Sequence, residues 1–195
     1  MAWMPAGANF VSQYQDPGRI FIQHNQEGLG VPQISSPVQG TVVSDAVASG
    51  RQLKDLVNAG APQTTITLRL AWSAVGGRFM LRFDPATLAA ERYKTLAFRV
   101  GQSTEAGNAV DRDQDFTIEV SSGSRTAAFA ASSLHRLLYP DVGAGAGKIV
   151  LQTLRLSLGR LVERGIELTD LRSIAFVFDR RSSGVIYVGD VQVSN

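Results

Sequence analysis

The chain closes on Ser173–Asn195, SIAFVFDRRSSGVIYVGDVQVSN. Two runs rich in β-branched and aromatic residues, IAFVFD at 174–179 and VIYVGDVQV at 185–193, flank a polar segment that ends in glycine. Such runs, bounded by Ser, Gly and Asp, suit a pleated and half-buried backbone. The pattern predicts a strand, a tight polar turn and a final strand. It places a buried hairpin at the end of the chain and no catalytic motif there.

The same reading extends upstream. TVVSDAV (41–47), ITLRLAWSA (66–74), FMLRF (79–83), TLAFRVG (95–101), DFTIEVSS (115–122), TAAFAAS (126–132) and IVLQTLRLSL (149–158) follow one another, with Gly, Ser and Asp between them. A series of eight or nine such strands predicts an all-β sandwich or barrel. Two short helical patterns interrupt it, SGRQLKDLVNAG near 49–60 and LGRLVERG near 158–165, each ending on glycine. Residues 1–36 are rich in Gly, Pro, Gln, Asn and Ser and read as an irregular extension or linker. Only Ile20-Phe21-Ile22 there looks like a strand, and residues 37–195 read as the sandwich module.

Alternation assigns faces. Ile66, Leu68, Leu70 and Trp72 oppose Thr67, Arg69 and Ala71, and Phe79, Leu81 and Phe83 oppose Met80 and Arg82. Leu96, Phe98 and Val100 oppose Ala97 and Arg99, while Phe116, Ile118 and Val120 oppose Thr117 and Glu119. Val150, Gln152, Leu154 and Leu156 oppose Thr153 and Arg155. Each strand then has a core side and a polar side, as half-buried antiparallel strands do. If the strands share a sheet, Arg69, Arg82, Arg99 and Arg155 line one surface with Glu119 among them. That surface reads either as a solvated face of weak ion pairs or as a ligand or docking face.

Composition narrows the chemistry. The net charge is +2, and the basic residues number 19, of which only Lys54, Lys94 and Lys148 are lysines. The arginines are dispersed, whereas nucleic-acid binders concentrate positive charge on one face or run. There is no cysteine, so disulfides, thiolate nucleophiles and cysteine-ligated metals are excluded. The opening MAWMPAGANF lacks the charged and apolar regions of a signal peptide, and no apolar run approaches bilayer length. Neither nucleic acid nor membrane insertion is expected.

Motif searches favour a non-enzyme. GAGAGK (143–148) departs from a phosphate loop, because Val142 stands where the first glycine belongs and Ile149 where the hydroxyl belongs. There is no G-x-S-x-G elbow. The two histidines, His24 and His135, lack the spacing of a zinc helix. A tertiary triad or a carboxylate pair, with Glu119 and Asp179 as candidates, stays open. DRDQD (111–115) is the one metal-like motif: alternating hard-oxygen ligands suit Ca²⁺, although the spacing is not that of an EF-hand. Asp111 and Asp113 are its candidate ligands, and Asp190 on the last strand is a second candidate. Trp3, Tyr14, Trp72, Tyr93, Tyr139 and Tyr187 are the tryptophans and tyrosines that could stack on a sugar. Trp72 is in phase with core residues, and Tyr139 in the turn-like LLYPD is the better candidate for exposure.

LAFRVGQ, DQDFTIEV, LQTLRLSL and GIELTDLRSIAFVFDRRSSGVIYVGDVQV together resemble galactose-binding-like jelly-roll modules. The ending is similar to that of carbohydrate-binding modules of this fold and of accessory modules of large exported bacterial hydrolases. The resemblance covers roughly residues 37–195. It implies a jelly-roll β-sandwich, and a Ca²⁺ at the sandwich edge held by an acid near the end of the last strand, where Asp190 stands. The acid that commonly precedes it is here Gly189.

The resulting expectation is a non-catalytic module that binds a glycan or other polymer in service of an exported protein, beside a catalytic domain. Arg69, Arg82, Arg99, Glu119, Arg155 and Tyr139 are its expected ligand contacts, together with the 101–115 and 139–148 loops. A structural Ca²⁺ is its only expected cofactor. A docking or self-association module, and a jelly-roll glycoside hydrolase or lyase, are the alternatives.

Overall fold

A computed structural model describes residues 19–26, 33–35, 42–46, 54–58, 66–82, 84–140 and 149–195. Its strands are β1 (Arg19–Gln26), β2 (Gln33–Ser35), β3 (Val42–Ala46), β4 (Lys54–Asn58), β5 (Ile66–Trp72) and β6 (Gly77–Arg82). They continue with β7 (Thr95–Gln102), β8 (Thr117–Ser122), β9 (Arg125–Ala130), β10 (Gln152–Ser157), β11 (Leu171–Phe178) and β12 (Gly184–Ser194). The described strands form two antiparallel sheets packed face to face, a jelly-roll β-sandwich. One has five strands in the order β3-β6-β11-β8-β9. The other has seven, built on the path β10-β7-β12-β1-β2, with β5 also on β12 and β4 on β5.

The final hairpin organises both layers. β11 lies at the centre of the five-stranded sheet and β12 at the centre of the seven-stranded one. β12 keeps β7 along one side, while on the other its first half pairs with β5 and its second half with β1. The register shifts between Val188 and Val191, where the partner changes. A bulge of this kind bends a strand and re-aims its second half.

The core fills the space between the sheets. Phe98 and Trp72 of the seven-stranded sheet meet Phe176 and Phe178 of the five-stranded one, with centroids 5.0 Å and 4.3 Å apart. Phe79 and Phe116 also pack on Phe176. Each fully buried aromatic or aliphatic side chain contributes about 1.5–3 kcal/mol of transfer free energy. The core side chains described in β5–β8 and β10 are those that alternation selected, but Gln152, also selected, is only half-buried. Val150 is exposed, because β10 starts only at Gln152 and the phase before it breaks.

Two other expectations change, and one holds. The helix expected near 49–60 is a strand over Lys54–Asn58, where pairing with β5 overrides local helical spacing. The helix expected near 158–165 does form at Leu158–Glu163, burying Leu158 and Leu161 and giving way to Gly165 at φ +79°. Upstream of residue 37, the chain is not wholly irregular: β1 pairs with β12, so the sandwich reaches at least as far back as Arg19. Trp3, Tyr14 and the GAGAGK loop lie outside the described residues.

Candidate functional site

Strand alternation gives the seven-stranded sheet a solvent face as well as a core face. On that face Arg155 stands opposite Ala97, and Ala97 opposite Gln192. Thr153 stands opposite Arg99, and Tyr187 opposite both Gly101 and Arg69. The condition for a shared arginine surface is therefore met by Arg69, Arg99 and Arg155. It is not met by Arg82 and Glu119, which occupy the outer face of the other sheet. There Arg82 Nε contacts Met80 Sδ at 3.2 Å, and Glu119 lies 3.6 Å from Arg78.

The first face has a floor of small residues bordered by cations. A Cβ at Gly189 would come within 3.1 Å of the Arg99 Cβ, so glycine there leaves room for the arginine stem. Gly101 is more constrained, since its Cβ would meet the Val150 carbonyl oxygen at 2.6 Å. Ile149 and Leu151 pack near this point with Val185 and Tyr187, and Tyr187 is only 4% exposed. Tyr187 is thus no open stacking platform. Trp72 belongs to the core, as its phase predicts. What the face offers is hydrogen bonding. Gln192 Oε1 is buried with no donor among the described residues.

Arg69 is braced where the face meets the loops. Its Nη2 and Nε donate to Glu105 Oε2 at 2.7 and 3.0 Å. Behind it, buried Asn108 ties the loop to the start of β12. Its Nδ2 donates to the carbonyls of Ser103 and Val185 at 2.8 and 2.9 Å. Its Oδ1 accepts from Val185 N–H and Gln114 Nε2, both at 2.8 Å. Neither the Glu105 brace nor the Asn108 tie was visible in the sequence, because each acts through partners distant along the chain.

The DRDQD motif serves the protein's own loops. Asp113 accepts from Arg136 Nε at 2.7 Å and from Tyr139 N–H at 3.3 Å. Asp115 accepts from Ser132 N–H at 3.0 Å and Ser132 Oγ at 2.9 Å. Asp111 is exposed at φ +56°. Among the described residues no group of three or more His, Asp or Glu side chains could hold a metal ion. Asp111 and Asp113 as arranged do not fit a Ca²⁺ cage, and the side chain of Asp190 lies outside the described residues. Tyr139 is half-buried beside the 141–148 segment, which is also outside them.

No family model matches this chain, and no curated protein does. Among solved structures, the family 30 carbohydrate-binding module of a cellulosomal cellulase of Clostridium thermocellum is similar. Its TM-score is 0.51 at 10% identity, over 90% of this chain and 92% of that one. Another crystal structure of a family 30 carbohydrate-binding module gives 0.55 at 12% identity, over 90% and 87%. At such low identity the likeness speaks for fold alone: this chain has the jelly-roll β-sandwich of those carbohydrate-binding modules.

Proposed function

We propose that the chain is a non-catalytic module that binds a carbohydrate polymer, as an accessory part of a larger exported protein. Its binding surface is the outer face of the seven-stranded sheet. The observation that carries the reading is the arrangement there of Arg99, Arg155 and Gln192, whose Oε1 has no donor among the described residues, beside Ala97 and Gly189. Arginine forks donate to the hydroxyl and ring oxygens of a sugar chain, and the amide oxygen accepts from its hydroxyls. Specificity rests on hydrogen bonds, since the aromatic nearest the centre is covered. The shared fold with family 30 carbohydrate-binding modules supports the reading without deciding the ligand.

Retention on soluble and insoluble polysaccharides tests it, scored with released sugar as a second readout and with an EDTA arm for calcium. The expected result is retention on at least one polymer without sugar release. Arg99→Ala should weaken it by roughly tenfold to a hundredfold, the loss of one or two charge-assisted hydrogen bonds. Arg82→Ala, on the opposite outer face, should leave it unchanged. Equal losses in the two variants would reject the face, and sugar release would reject a non-catalytic role.

A further inference from the structure

At the end of the sandwich where β12 begins, the loop from β7 to β8 and the turn from β11 to β12 enclose a cavity of about 260 Å³. Arg112, Arg180 and Arg181 line it, together with Asp113, Gln114 and Ser183. We infer that this pocket binds the anionic group of an acidic sugar unit, an inference that rests on the carbohydrate-binding reading above.

The charge balance carries the argument. Three guanidinium groups line it with one carboxylate, Asp113, which pairs with Arg136 at 2.7 Å, while Asp115 and Asp179 stand on the Arg180 side. Arg180 is held by Thr117 Oγ1 at 3.1 Å and lies 3.7 Å from Asp115. Among the described residues, the Arg181 guanidinium reaches only a backbone carbonyl, that of Asp113, at 3.3 Å. The Arg112 guanidinium has no hydrogen-bond or ion-pair partner among the described residues. Arg112 and Arg181 thus leave two adjacent cations without a carboxylate partner among the described residues, which raises the local potential and draws in an anion. Arginine's planar fork matches a carboxylate or a sulfate ester with paired hydrogen bonds.

The surroundings fit a sugar rather than a bare ion. The cavity is on the scale of one sugar ring, and its wall is polar. Gln114 Nε2 donates to Asn108 Oδ1 at 2.8 Å and to Ser183 O at 3.3 Å, and its buried Oε1 has no donor among the described residues. Gly107, in the same wall, lies two residues after Glu105, which holds Arg69 of the binding face. The pocket and the face are thus joined by one loop, so a single polymer could occupy both.

Titration of the full chain with polygalacturonate, dextran sulfate and a neutral β-glucan tests this at fixed low salt. Arg112→Gln is the probe, and Arg172→Gln, whose arginine pairs with Asp170 on the other sheet, is the charge-matched control. The expected result is tighter binding of an acidic polymer than of the neutral one. Arg112→Gln should lower it at least about tenfold while leaving neutral binding and the thermal midpoint unchanged. Loss on polygalacturonate would name a uronate, and loss on dextran sulfate a sulfate ester. Equal losses in the two variants would reduce the effect to overall charge and overturn the pocket. Neutral binding with no acidic preference would overturn the inference alone. Failure to bind any polymer would overturn both it and the carbohydrate reading.

Discussion

Gly184→Ala should lower stability by about 3 kcal/mol, a fall of roughly 6–12 °C in the thermal midpoint for a chain of this size. Gly184 opens β12 directly opposite Trp72. A Cβ there would overlap Trp72 Cζ2 and would sit 2.5 Å from Cη2 and 2.6 Å from Gln114 Nε2. None of these neighbours yields easily. The indole stacks on Phe178 at 4.3 Å with an interplanar angle of 11°, and its Nε1 donates to the Arg181 carbonyl at 3.0 Å. Gln114 is held by Asn108. The added methyl must therefore push the ring into a filled core or move the final strand off β5. Gly77→Ala is the matched comparison, since its Cβ would make ordinary contact with Phe178 at 3.7 Å. Thermal melts followed by circular dichroism decide the matter. A midpoint for Gly184→Ala within about 2 °C of the parent would mean that the hairpin start is loosely packed.

The strands and their inward residues were legible because alternation is local. Leu96, Phe98 and Val100 must share a side wherever their strand goes. Which sheet a strand joins is not local, and the expected arginine surface divided on that point. β5 and β6 are separated only by residues 73–76, a spacing that suits a hairpin. Yet β5 pairs with β4 and β12 while β6 pairs with β3 and β11, so this connection crosses from one sheet to the other. Arg69 and Arg82 consequently lie on opposite outer faces. The same limit applies to Arg19–Gln26: Ile20-Phe21-Ile22 reads as a short strand, but its length and its pairing with β12 at the far end of the chain are not local. DRDQD was chemically suggestive for the right reason, hard oxygens at close spacing. Its Asp113 and Asp115 are instead used by Arg136 and Ser132, neighbours that no local pattern reveals. Arg112 lies within the same motif. Only the folded loop sets it beside Arg180 and Arg181.

Asn108→Ala should cost about 3 kcal/mol and should loosen the loop end specifically. The side chain is 8% exposed and makes four hydrogen bonds, two as donor and two as acceptor. Truncation strips partners from the Val185 N–H and carbonyl and from the Ser103 carbonyl, groups buried at the mouth of β12. Each unsatisfied buried group costs about 1–3 kcal/mol, and water entering the space left behind recovers part of it. Asn108→Asp separates the two halves of the role. The aspartate keeps an acceptor for Val185 N–H and Gln114, but sets its other oxygen against two carbonyl oxygens and buries a charge. It should therefore be no more stable than the alanine variant, despite its near-identical shape. Urea unfolding gives the stability, and amide exchange at Val185 should accelerate in both variants. Because Asn108 also holds Gln114 in the wall of the arginine pocket, binding of an acidic polymer should weaken alongside. Retained protection at Val185 with stability within about 1 kcal/mol of the parent would remove Asn108 as the tie between loop and strand, and with it the structural basis for a preformed pocket.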